Sequence, residues 1–127
     1  SACVAFEDNQ VSVWARNSDR AMALAEAYGV TVESLDAVLS KDLVISTLPA
    51  GALSPLLEGH YPGLLLDAAY ANTDTQSHFS SAISGLEMLL WQAVGQQRLF
   101  RTGQLDAELD NEPEIVSAMR TSLLVGE

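Results

Sequence analysis

The runs DLVISTL (residues 42–48) and GLLLDAAY (residues 63–70) decide how this chain folds. Each is a near-continuous apolar segment of strand length, and the first is followed by a turn bearing Pro49 and Gly51. Strands that are apolar on both faces are those of a parallel sheet covered by helices above and below. The flanking sequence supplies the helices. Upstream, Val11 to Ala15 reads as a buried strand. Ser18 then stands where it can cap a helix with Ala21, Leu24, Ala25 and Tyr28 on one face, and Gly29 stops it. Val30 to Glu33 is a short strand, and Ser34 caps a short helix carrying Leu35, Val38 and Leu39. Downstream, a helix is expected around TQSHFSSA (residues 75–82). Gly85 then opens a long helix from about Leu86 to Arg101, with Leu86, Leu89, Leu90, Ala93 and Phe100 as its buried stripe. A last helix, about Pro113 to Leu124, has proline at a favoured first-turn position. The fold class is α/β, a doubly wound, Rossmann-like parallel sheet.

The start of this pattern is incomplete. SACVAFEDN (residues 1–9) reads as the end of a helix feeding the Val11 strand, so the preceding strand and its glycine-rich turn are absent from the sequence. In a doubly wound sheet that strand lies in the middle. The chain is therefore expected to be a piece of a longer polypeptide.

Composition narrows the function. A chain of 127 residues that is 48% hydrophobic and 18% charged is one globular domain rather than a disordered segment. No apolar run reaches the roughly 18 residues of a membrane helix, and no signal peptide is visible. The single cysteine, Cys3, fits a reducing cytoplasm. A net charge of -11 argues against nucleic acid and anionic membranes as partners, because both are bound through clustered Lys and Arg. Glu108, Asp110, Glu112 and Glu114 read as a solvated helix start rather than a metal site. His60 and His78 have no ligand-spaced companions, so no metal is expected, and no nucleophile elbow is present.

Ligands of open α/β sheets bind at the carboxyl ends of the strands. Arg16 follows the first strand and Arg20 lies in the first turn of the next helix, where the dipole disfavours a cation. Two such arginines either bind an anion between them or are solvated, with Arg20 paired to a carboxylate. In dinucleotide folds an acid at this place holds the ribose of NAD, whereas arginine accommodates the 2′-phosphate of NADP. TLPAG (residues 47–51) is a turn first and a cofactor surface second. Gln92, at the border of the long helix's stripe, is either exposed or offers its amide to a hydroxyl-bearing ligand.

In combination these segments resemble the C-terminal, NADP-binding half of shikimate dehydrogenase, from about Ala2 to Leu123. ARNSDRA (residues 15–21), DLVISTLPAG (residues 42–51), DAAYANTDT (residues 67–75), GLEMLLWQA (residues 85–93) and AMR (residues 118–120) follow the family's order. The resemblance implies that Arg16 and Arg20 bind the 2′-phosphate of NADP, with Asn17 in place of the family's Thr. Thr47, Leu48 and Pro49 would border the cofactor, and Gly85 and Met88 would line the nicotinamide pocket. Tyr70 would lie near nicotinamide and substrate, and Gln92 would bond a substrate hydroxyl. Residues 1–127 would form the cofactor domain, without the N-terminal substrate domain and its catalytic Lys and Asp. The implied reaction is reversible reduction of 3-dehydroshikimate to shikimate with NADPH, in aromatic amino acid biosynthesis; this piece alone would be inactive.

The chain departs from the family at Ala15, where Asn is usual, and at Asn72, where Pro is common. Lys41, its only lysine, precedes a strand at the amino edge and cannot replace the missing one. A quinate/shikimate dehydrogenase relative and a non-catalytic NADP-binding module are the alternatives. Glutamyl-tRNA reductase has a similar nucleotide domain, but GLEMLLWQA speaks against it.

Overall fold

The computed structural model describes residues 10–69 and 74–125. In chain order the elements are β1 (Ser12–Val13), α1 (Ser18–Tyr28), β2 (Thr31–Val32), α2 (Leu35–Leu39), β3 (Leu43–Ser46), β4 (Tyr61–Asp67), β5 (Phe79–Ile83), α3 (Gly85–Thr102) and α4 (Glu112–Val125). All strand pairings are parallel, in two sheets ordered β1-β2 and β3-β4-β5. The α/β class expected from the sequence is the one observed.

β3 and β4 pair through Val44 with Leu65 and Ser46 with Asp67, and β4 pairs with β5 through Leu66 and Ile83. One face of this sheet packs the main core: Leu39 from α2, Val44, Leu53, Leu57, Leu65 and Phe79, with Leu35, Leu48, Tyr61 and Ala82 around them. The rings of Tyr61 and Phe79 meet at 5.2 Å. The alternate residues stand on the opposite face, where Leu43, Ile45 and Ile83 remain 40%, 37% and 41% exposed.

Several expectations need correction. The segment read as a helix around residues 75–82 is a short 3-10 turn at Gln76–His78 followed by β5. Among the described residues β5 is bonded to β4 alone, so one apolar anchor, Phe79, suffices where a central strand would need several. The first helix is capped by Asn17, whose side-chain oxygen accepts from the N–H groups of Asp19 and Arg20; Ser18 is already helical. Of that helix's expected apolar face only Ala21 is buried, while Leu24 and Tyr28 are 39% and 48% exposed. Ser34, by contrast, caps α2 as read.

The long helix buries a different stripe from the one expected. Leu90 and Val94 pack against Val116, Met119 and Leu123 of α4, whereas Leu89 is 37% and Phe100 81% exposed. Apolar spacing marks the width of a helix face but not where its partner lies, and α4 lies against the Leu90 side. Glu87 and Arg120 join the two helices near one end by a bidentate pair at 2.7 and 2.9 Å.

At the other end of that hairpin, Glu112 is buried rather than solvated. It accepts from Arg98 Nε at 2.8 Å, from Arg98 Nη2, and from the N–H of Leu109 at 3.0 Å. The Arg98 guanidinium, aided by that N–H, holds its pKa down at about 2, against an ordinary 4.5. A folded-state value below the unfolded one makes the pair's stabilisation complete above pH 4.5, and it is lost as the pH falls toward 2. Glu112→Gln is accordingly expected to lower the melting temperature at pH 7 and to flatten its decline between pH 4.5 and 2. Thermal melts across that range check this, and a wild-type slope in the variant removes Glu112 as the cause.

Candidate functional site at the carboxyl edge

Parallel strands send all their carboxyl ends to one edge, and the register shows what gathers there. Ser46 stands beside Asp67, and Leu66 beside Ile83. Hence Thr47, Leu48 and Pro49 leave β3 next to Ala68, which donates its N–H to the Ser46 carbonyl at 2.9 Å. Ser84 and Gly85 follow β5 at the same level. Ser84 caps α3 through the N–H of Glu87, so the helix starts at this edge as the sequence predicted. Gly85 is buried, Met88 half-buried and Gln92 exposed. At spacings of three and seven residues they share one helix stripe, with Gln92 about 10 Å along the axis from Gly85. Tyr70 lies outside the described residues.

The second group comes from β1. Arg16 and Asn17 follow the strand, and Arg20 lies in the first turn of α1. Arg16 donates from Nη2 to the carbonyl of Ala52 at 3.2 Å, which brings the end of β1 to the turn after β3. That turn is closed by the N–H of Ala52 on the Pro49 carbonyl at 3.0 Å. The ARNSDR and TLPAG segments are therefore neighbours in space. Asn17 uses its side-chain oxygen on the helix cap, which leaves its amide NH₂ to face outward contacts.

Charge separates Arg16 and Arg20 from most of the other basic residues. Lys41, Arg98 and Arg120 are in ion pairs with Glu33, Glu112 and Glu87. Arg16 and Arg20 are exposed and form no ion pair among the described residues, although the chain carries seventeen acidic side chains. Among the described residues no carboxylate pairs with Arg20. Gathered here are two cations without an ion pair among the described residues, an amide donor and a helix start, an arrangement able to hold a phosphate. The sequence contains no glycine-rich turn for the pyrophosphate.

Lys41 bonds Glu33 at 2.8 Å and precedes β3, at that strand's amino end. His78 donates from Nδ1 to the Gly59 carbonyl at 2.7 Å, a structural role. Among the described residues no group of His, Cys, Asp and Glu is placed to hold a metal, and no helix is long and apolar enough to cross a membrane. Two contributors were not foreseen from the sequence: the Ala52 carbonyl that docks Arg16, and the buried Asp67–Thr75 pair. The first has no sequence signature, since its partners are 36 residues apart; the second joins the two ends of the DAAYANTDT segment, whose spacing alone does not show that they meet.

No known family model matches the chain, and no curated protein does. Among solved structures, the chain is similar to shikimate 5-dehydrogenase of Thermus thermophilus in complex with shikimate, with a TM-score of 0.67 and 26% identity over 94% of this chain. It is also similar to the same enzyme in complex with NADP(H) and shikimate, with a TM-score of 0.63 and 25% identity over 93% of this chain. In both cases it spans 48% of the solved chain. The resemblance drawn from ordered sequence segments is therefore also a likeness of folds.

Proposed function

We propose that this chain is the NADP-binding part of a shikimate dehydrogenase, a C-terminal domain whose polypeptide also carries a substrate domain. The observation that carries the reading is the pair of arginines, Arg16 and Arg20, that flank the start of α1 and form no ion pair among the described residues of a strongly acidic chain. An exposed cation at a helix N-terminus opposes the helix dipole, and a bound phosphate reverses that penalty. The likeness to an enzyme solved with NADP(H) and shikimate supports the choice of ligand.

In this reading Arg16 and Arg20 grip the 2′-phosphate, and the Asn17 amide donates beside them. Thr47, Leu48 and Pro49 border the cofactor along the turn after β3. Gly85, which leaves space at the start of α3, and Met88 line the nicotinamide side. Tyr70 and Gln92 serve the substrate, Gln92 by bonding a hydroxyl. Bound NADPH supplies the hydride for the keto carbon of 3-dehydroshikimate. Lys41, engaged with Glu33 on the amino edge, does not move the proton, so that step needs a group from outside residues 1–127. The chain alone then binds cofactor without turnover.

Titration of the chain with NADPH and NADH, followed by nicotinamide fluorescence, tests the reading. Binding of NADPH at least about tenfold tighter than NADH is expected from one charge-assisted contact or more. Equal affinities, or none, would sink it. An intact mass above 13.6 kDa for the native polypeptide, with NADP-dependent shikimate oxidation, is the corresponding expectation for the whole protein.

A further inference from the structure

We propose that Asp67 is a positioning residue for the loop that leaves β4 at the carboxyl edge, acting through Thr75. The inference rests on the reading above, in which this loop borders the substrate side of the cofactor. Asp67 is 3% exposed and Thr75 fully buried. A carboxylate so placed is strongly disfavoured unless both oxygens find donors. Here Oδ1 accepts from the N–H of Ala69 at 3.1 Å, and Oδ2 accepts from Thr75 Oγ1 at 3.0 Å. One side chain thus fastens both feet of the loop.

Its surroundings leave Asp67 no other task. No cation pairs with it among the described residues; its register partner on β3, Ser46, is buried with a hydroxyl that makes no hydrogen bond to it, and Leu65 on the same strand is apolar and buried. The connection from β4 to β5 is also unusual. Adjacent parallel strands are normally joined through a helix that packs on the sheet. Here the described part of the crossover holds only the 3-10 turn at Gln76–His78. That turn has two moorings: Thr75 on Asp67 at the carboxyl edge, and His78 on the Gly59 carbonyl just ahead of β4. The hydrogen bond to Asp67 replaces the packing that a crossover helix would provide, and it does so at the edge where the cofactor and substrate would meet.

The test is Thr75→Val, which keeps the shape but removes the hydroxyl, with Thr75→Ser as the variant that restores it. Losing a bond to a charged acceptor is expected to accelerate amide exchange in residues 68–75 about tenfold or more, with β3 and β4 unchanged. In the complete protein kcat/KM for shikimate should fall about tenfold while the Kd for NADPH stays within about twofold, and Thr75→Ser should return both. Wild-type exchange and kinetics in Thr75→Val would overturn the proposal. So would exchange that accelerates throughout β3, β4 and β5, or a loss of NADPH affinity equal to the loss of turnover, since both mark a general structural role. A wild-type protein that neither binds NADPH nor oxidises shikimate would defeat the functional reading instead. The exchange result then decides the clamp alone: acceleration confined to residues 68–75 upholds it, and unchanged exchange overturns it.

Discussion

Arg16→Ala combined with Arg20→Ala weakens NADPH binding by about a hundredfold or more and leaves NADH binding within about threefold of wild type. In the proposed reading each arginine gives the 2′-phosphate a charge-assisted hydrogen bond worth about 1.5–3 kcal/mol, and two such losses compound to that factor or beyond. NADH lacks the phosphate, so it loses only the weaker attraction of two cations for the rest of the molecule. The folded state should tolerate the change, because neither arginine forms an ion pair among the described residues and both are exposed. Arg16 does hold the Ala52 carbonyl, so the single variant Arg20→Ala separates phosphate binding from loop position. Fluorescence titration of both dinucleotides reads the outcome. Equal losses for the two would take the arginines out of the phosphate site.

Gly63→Ala is expected to abolish the native fold of the three-stranded sheet. A Cβ at this position would lie 2.1 Å from the Lys41 carbonyl oxygen and 3.0 Å from that of Asp42. The obstruction is backbone, which cannot rotate away as a side chain would. The neighbouring N–H of Leu64 also bonds the Asp42 carbonyl at 2.9 Å, so the two segments cannot part without losing a sheet bond. Overpacking in an ordinary core costs about 1–3 kcal/mol, and this contact should exceed that range. Circular dichroism and urea unfolding provide the check. A variant with wild-type stability would mean that β4 approaches the Lys41–Asp42 turn less closely than described.

The sequence made β3 and β4 legible because both are apolar on successive residues, a pattern that only a strand buried in a parallel sheet explains. The starts of α3 and α4 were legible too, from Gly85 and Pro113. β5 was not. Of its two large apolar side chains, Phe79 and Ile83, only Phe79 is buried, and the serines between them break the apolar run. The buried face of α3 was misread because its apolar residues nearly encircle it, and the position of α4 selects the side. In the candidate site, Arg16, Asn17 and Arg20 stand at the β1–α1 boundary where the sequence pattern put that boundary, while their role toward a ligand belongs to the proposal. What stayed hidden were contacts between distant segments, such as Arg16 with Ala52 or Arg98 with Glu112. Local spacing carries no information about those. Ser18 and Asn17 are equally good caps by type, so only backbone geometry could choose between them.

The half-exposed Leu43, Ile45 and Ile83 on the second sheet face have a consequence for the behaviour of this chain as a colloid. At neutral pH a net charge of -11 keeps copies apart, and adhesion between such faces is held off by repulsion. Near the isoelectric point of about 4.3 that repulsion disappears, whereas the Arg98–Glu112 pair, with Glu112 titrating near 2, is still intact. Adhesion through the uncovered apolar side is therefore expected to set in near the isoelectric point, at a pH where this ion pair still holds.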